Sequence, residues 1–261
     1  MKYLKKSLGQ NFLIDLNIIK KITNIVDIKN KDIFEIGPGS GALTNEILRK
    51  KPKSLTLIEK DFYLFKKLNL KYISHKKITV YNEDILKFNL ENKLTKNSII
   101  FGNLPYNISS QILVKFIKLK NITSKYCSLI FMFQKEMADR IIGKHGTSKY
   151  GRLSILANYK FDILKKFNIS PNCFFPKPKV NSTVLHFKPH NKIFNKIKKI
   201  ENLEKITNIF FSSRRKMINK SIKKIFKSNE NIKLIDLNLK SRPEDLKPEL
   251  YYQITELFEK N

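Results

Sequence analysis

Between Asp15 and Val26 the apolar residues Leu16, Ile18, Ile19, Ile22, Ile25 and Val26 recur at helical spacing, which predicts a helix with one buried face. Short runs rich in β-branched and aromatic residues follow at Asp32–Ile36, Ser54–Ile58, Ile78–Tyr81, Ser98–Phe101 and Ser128–Phe133. Helical patterns separate them, at Ala42–Lys50, Asp61–Tyr72, Ser109–Lys118 and Gln134–Ile142. Parallel neighbours need crossovers, so this alternation predicts an α/β domain whose parallel sheet has helices on both faces. Phe174 to Val180 contains Pro176 and Pro178, which exclude a helix there, and a last strand is expected over Ser182–Phe187. Pro189 and the polar stretch from His190 to Lys192 mark a boundary. Beyond it Ile193–Lys227 and Pro248–Glu259 read as helices, so the expected division is an α/β domain over 1–189 and a small all-α domain over 190–261.

Composition narrows the class. With 41% hydrophobic and 11% aromatic residues among 261, the chain can bury a sizeable core and is not intrinsically disordered. The longest apolar run, Leu129 to Phe133, is far short of the roughly 20 residues a membrane helix needs, and the basic Met1 to Asn11 has no apolar segment behind it. A soluble cytoplasmic protein is expected, without a membrane partner. Two cysteines, Cys127 and Cys173, provide neither a disulfide framework nor a cysteine-rich zinc site, and His75, His145, His186 and His190 lack ligand spacing, so no metal is expected. Lys and Arg number 52 against 22 Asp and Glu, giving a net charge of +30. That is the electrostatic footprint of a polyanion binder, although only six of the cations are Arg and the excess is spread along the chain.

The candidate chemistry stands at successive strand ends. Gly37-Pro38-Gly39-Ser40-Gly41-Ala42 follows the first strand and opens a helix, where a nucleotide-like ligand meets such a sheet. The loop alone does not distinguish a nicotinamide dinucleotide from S-adenosylmethionine. Glu59 closes the second strand, where an acid can accept both hydroxyls of a ribose. The third ends in Asn82-Glu83-Asp84-Ile85, where a carboxylate can accept from an adenine amine. The fourth runs into Asn103-Leu104-Pro105-Tyr106. An adenine exocyclic amine is a poor nucleophile, because its lone pair is delocalised into the ring. The Asn103 side-chain oxygen and the Leu104 carbonyl can each accept one N6 hydrogen, while Tyr106 stacks on a base taken out of its helix. Such a site works by positioning and electrostatics, without a covalent intermediate or a metal.

These motifs occur together with Gly9-Gln10-Asn11-Phe12-Leu13, Glu35-Ile36, Gln134-Lys135-Glu136, Tyr150-Gly151-Arg152-Leu153-Ser154, Phe174 with Pro176-Lys177-Pro178-Lys179-Val180, and Phe211 with Arg214-Arg215-Lys216. As a set they resemble the KsgA-type 16S rRNA adenine dimethyltransferases over nearly the whole chain. The resemblance implies a Rossmann-like methyltransferase sheet, S-adenosylmethionine as cofactor, and N6,N6-dimethylation of two adjacent adenosines in the 3'-terminal hairpin loop of 16S rRNA within an immature small subunit. It implies that Asn11 and Leu13 touch the cofactor's methionine end, that Gly37 and Gly39 form its loop, that Glu59 takes the ribose, and that Asp84 with Ile85 takes the adenine. Asn103 would lie between cofactor and target, Leu104 and Tyr106 would complete the target pocket, and Phe174 would offer the second aromatic face on the flipped base. Asn181 stands where family members often have Asp.

For RNA docking, Arg214 to Lys227 holds seven cations and no acid. Lys216, Lys220, Lys223 and Lys227 would form one helical stripe continuing from Arg214 and Arg215, beside an apolar face of Ile218, Ile222 and Ile225. A monomer is expected. The competing readings are a 23S rRNA methyltransferase of the macrolide-resistance type, an assembly factor acting mainly by binding immature subunits, and an NAD-dependent enzyme, which Asn103 to Tyr106 disfavours.

Overall fold

The computed structural model describes residues 10–119, 128–190, 197–226, 235 and 237–260. The chain divides into two compact units, one holding the residues up to Ala138 together with Asp162–Pro189, the other holding Asp139–Phe161 with the residues from His190 onward.

The first unit is built on a seven-stranded sheet. Its strands are β2 (Asp32–Ile36), β3 (Ser54–Ile58), β4 (Ile78–Tyr81), β5 (Ser98–Asn103), β6 (Ser128–Gln134), β7 (Phe161–Ile169) and β9 (Ser182–Pro189), in the order β4-β3-β2-β5-β6-β9-β7. The first five pair in parallel, with Ile36 level with Ile58 on one side and with Gly102 on the other. All five residues of β2 are buried, as expected of a central parallel strand covered on both faces. β9 runs antiparallel to β6, so the sheet is mixed rather than wholly parallel. The chain adds β3 and β4 on one side of β2, then returns to add β5 and β6 on the other. That reversal opens a crevice at the carboxyl ends of β2 and β5, where open sheets of this kind bind ligands.

The helices of this unit are α1 (Leu16–Thr23), α2 (Ala42–Arg49), α3 (Phe62–Tyr72), α4 (Ser109–Lys118) and the start of α5 (Lys135–Ile141). Asp15 caps α1 by accepting from the N–H groups of Asn17 and Ile18, and Asp61 caps α3 by accepting from Tyr63 and Leu64. A two-stranded sheet pairs β1 (Phe12–Leu13) with β8 (Phe174–Phe175).

The second unit begins earlier in the chain than the boundary expected at 189. It takes in α6 (Arg152–Lys160) along with α7 (Ile200–Phe211), α8 (Asn219–Ile225) and α9 (Pro248–Lys260). Three buried tyrosines explain why. Tyr150 donates its hydroxyl to the Leu246 carbonyl at 2.9 Å, Tyr252 to Ile155 at 3.0 Å and Tyr251 to Pro243 at 2.6 Å, with the Tyr251 ring 5.2 Å from that of Phe210. These bonds span up to 97 residues of sequence. Local periodicity carries no trace of them.

The single helix expected from Ile193 to Lys227 is broken after Phe211. Ile218 is buried, and its N–H donates to the Ser241 carbonyl instead of continuing a helical ladder. Arg214, Arg215 and Lys216 therefore lie in the connecting turn, Lys220 and Lys223 lie on α8, and Lys227 falls outside the described residues. The expected one-helix stripe is not formed. Arg214 spends its guanidinium within the unit, on Glu244 Oε2 at 2.7 Å and on the carbonyls of Ser148 and Thr147 at 2.7 and 3.2 Å. Arg215, Lys216, Lys220 and Lys223 are exposed.

Candidate active site

An open cleft with about 950 Å³ of empty space lies at the carboxyl edge of the large sheet. Four strand ends meet there, contributing Ile36 and Gly37 after β2, Ile58 and Glu59 after β3, Glu83 to Ile85 after β4, and Asn103 to Ile108 from the end of β5. Gln10, Asn11 and Phe12 close one side. The volume is within the range that holds a cofactor and a single base.

The floor is the glycine loop. Gly37 and Gly39 have φ of +64° and +58°, and a Cβ on Gly39 would stand 2.6 Å from the Phe12 ring. Any other residue at 39 would be strained and would push Phe12 away. Beneath the loop Glu35 is fully buried and accepts from the Thr44 hydroxyl at 2.6 Å. Burial, reinforced by the nearby Glu59 carboxylate, pushes Glu35 up to about 7.

Glu59 is held by backbone donors, with Gly39 N–H on one oxygen at 3.2 Å and Asp61 N–H on the other at 2.8 Å. Burial raises its pKa, and these two bonds oppose the shift. Each carboxylate oxygen has two lone pairs, so both retain an acceptor position for a vicinal diol. Asp84 differs: burial alone would raise its pKa, but Lys60 at 2.8 Å and the Leu86 N–H hold it below the usual range. The Asn82 amide donates to the carbonyls of Glu59 and Lys60, tying the ends of β3 and β4 together.

At the end of β5 the Asn103 amide donates from Nδ2 to the Asn11 carbonyl at 2.7 Å. A carbonyl only accepts, so this bond settles which end of the amide is which and turns Oδ1 away from it. Leu104 is buried in the cleft wall. Tyr106 Oη lies 2.7 Å from Ser182 Oγ, which anchors the ring, and burial raises the phenol's pKa, so it stays neutral.

Of the residues singled out from the sequence, Asn11, Gly37, Gly39, Glu59, Asp84, Ile85, Asn103, Leu104 and Tyr106 line this cleft. Leu13 and Phe174 do not. They face each other in the β1–β8 pair and are buried in the hydrophobic core, at 5% and 2% exposure. Strand alternation sends these two inward and turns their neighbours Phe12 and Phe175 to the opposite face. Phe12, Lys60 and Leu64 were not assigned a role by sequence reasoning, though Phe12 lies inside a quoted motif and Lys60 follows Glu59 directly. Among the described residues no group of three or more His, Cys, Asp or Glu could hold a metal, and no helix is long and apolar enough to cross a membrane. The chemistry of the lining fits a nucleoside cofactor: a diol acceptor in Glu59, an amine acceptor in Asp84, and a loop open to close approach.

The chain matches the family model for ribosomal RNA adenine dimethylase over residues 1–260. It is 48% identical over 260 residues to a protein of Pelagibacter ubique named ribosomal RNA small subunit methyltransferase A, covering 98% of this chain and 97% of that one. A protein of Malacoplasma penetrans with the same name is 41% identical, covering 97% and 91%. Among solved structures, a dimethyladenosine transferase from Plasmodium falciparum superposes with a TM-score of 0.77 at 24% identity, covering 93% of this chain and 95% of that one. The 23S rRNA methyltransferase ErmE superposes at 0.71 with 21% identity, covering 95% and 100%. Both structural likenesses are of fold.

Proposed function

Since the chain belongs to the ribosomal RNA adenine dimethylase family, we propose that it methylates N6 of two adjacent adenosines in the 3'-terminal hairpin loop of 16S rRNA, with S-adenosylmethionine as donor, during small-subunit assembly. The observation that carries this reading is the Asn103 amide, fixed by the Asn11 carbonyl so that its acceptor end is the one offered to a substrate.

Glu59 would hold the cofactor's ribose, Asp84 and Ile85 its adenine, and Gly37, Gly39 and Asn11 the remainder. When bound, the cofactor supplies a methyl group on a positively charged sulfur. Asn103 Oδ1 and the Leu104 carbonyl accept the two N6 hydrogens of the target, which turns the nitrogen lone pair out of conjugation and toward that methyl. The nitrogen then forms the new bond to carbon as the carbon–sulfur bond breaks, and it sheds one proton. Tyr106, neutral and anchored on Ser182, provides the face on which the extruded base stacks. No side chain of the cleft is consumed, so the gain comes from preorganised acceptors. Arg215, Lys216, Lys220 and Lys223, exposed in the second unit, would meet backbone phosphate.

The small-subunit substrate is favoured by the names of relatives at 48% and 41% identity. The test is methyl transfer from labelled S-adenosylmethionine into unmethylated small subunits, large subunits and naked rRNA, followed by nucleoside analysis. Dimethyladenosine confined to small-subunit RNA is expected; product in 23S rRNA would overturn the substrate assignment.

A further inference from the structure

The segment from Phe175 to Asn181 carries exposed chemistry that the methyl-transfer geometry does not use. In the β1–β8 pair Phe12 stands opposite Phe175. Opposed residues of an antiparallel pair project from the same face, and on that face Phe12 lines the cleft. Phe175 is 43% exposed beside it. At the other end of the segment Ser182 holds the hydroxyl of Tyr106, on another wall of the same cleft. Residues 175–181 therefore run along the cleft from one wall to the other. They present Phe175, Lys177, Lys179 and Val180 to solvent and contain no acid. Pro176 and Pro178 fix their own φ angles, and Pro178 is buried, so this surface has little freedom to lose on binding.

An aromatic ring beside two cations, at the lip of a cavity sized for one base, matches the needs of a single-stranded nucleic acid. Stacking on the ring is tolerant of sequence, and the ammonium groups take backbone phosphate. We propose that this segment is a subsite for the nucleotide next to the target adenosine, with Phe175 stacking on its base and Lys177 and Lys179 holding the phosphates that flank it. The proposal rests on the reading of the cleft as an adenosine methyltransferase site.

The experiment uses the full-length protein with unmethylated small subunits and labelled S-adenosylmethionine, comparing wild type with Phe175→Ala, Phe175→Leu and the double variant Lys177→Gln/Lys179→Gln. The KM for subunits should rise on the order of ten-fold in Phe175→Ala and remain raised in Phe175→Leu, which keeps bulk but has no π face. The lysine variant should lower the salt slope of binding to naked rRNA by about two. Cofactor affinity should match wild type in all three. Variants that equal an active wild type in KM and salt slope overturn the subsite alone. Lost binding to intact subunits with unaltered binding to naked rRNA overturns it in favour of a contact to ribosomal protein. A wild type that methylates no adenosine overturns the reading of the cleft and the subsite with it.

Discussion

Glu35 and Asn103 show how single side chains are set to their tasks by what surrounds them. Burial raises Glu35 from the ordinary 4.5 to about 7, so between these values the folded chain retains a proton that the unfolded chain releases. Below about pH 4.5 both states are protonated and the site costs nothing. As the pH rises through about 7 native stability falls, by on the order of 3 kcal/mol in all, and then levels off. Glu35→Gln keeps an acceptor for the Thr44 hydroxyl and should flatten this decline in denaturant titrations between pH 5 and 8, leaving the smaller slope of the same sign that Glu59 contributes. A variant as pH-sensitive as wild type would remove Glu35 from the account. Asn103→Ala should lower methyl transfer by about 10²–10³-fold, the scale of losing one preorganised polar contact, with cofactor affinity nearly unchanged in calorimetry. The importance of Asn103 was legible in its tetrapeptide. The burial of Phe174 was not, because a two-residue strand sets inside from outside by its pairing partner, and Phe174 and Phe175 are chemically alike.

At the scale of elements, the alternation of strand and helix up to Ile141 was readable because each period repeats over several residues. The segment from Arg152 to Ile169 was not, and it holds α6 and β7. In α6 four consecutive residues, Ser154 to Ala157, are buried, which leaves no 3.6-residue rhythm, and in β7 the central Leu164, Lys165 and Lys166 are all exposed at a sheet edge. One connection between elements bears on cofactor binding. Lys115 on α4 donates to the carbonyls of Leu86 and Phe88 at 2.9 and 2.7 Å, clamping the turn that presents Asp84 and Ile85. Because α4 follows the Asn103–Tyr106 loop, this clamp joins the target wall of the cleft to the adenine wall. Lys115→Met keeps the aliphatic stem and loses the donors. It should cost about 1–2 kcal/mol of stability and weaken S-adenosylmethionine binding several-fold while leaving kcat at saturating cofactor within about two-fold. A large fall in kcat with unchanged affinity would contradict this positioning role.

Across the whole molecule, the cations of the second unit divide into those that hold it together and those that face solvent. Arg214→Met should lower the melting temperature through loss of the Glu244 pair, a partly exposed contact worth about 1 kcal/mol, with little change in the salt dependence of RNA binding. Lys220→Gln with Lys223→Gln should do the reverse, leaving the melting temperature unaltered and reducing the salt slope by about two. Paired melting curves and salt titrations check both, and a stable double variant with the wild-type slope would make those lysines a solvated face. The sequence by itself determined the strand–helix rhythm, the glycine loop, the acids at the strand ends and the Asn103–Tyr106 turn, because each depends on the chemistry of adjacent residues. Only the tertiary structure decided that β9 runs antiparallel, that Asp139–Phe161 joins the second unit, and that Arg214 turns to Glu244 while Phe175 takes the open face. Those outcomes rest on partners tens of residues away, selected by burial and hydrogen bonding that no local pattern encodes.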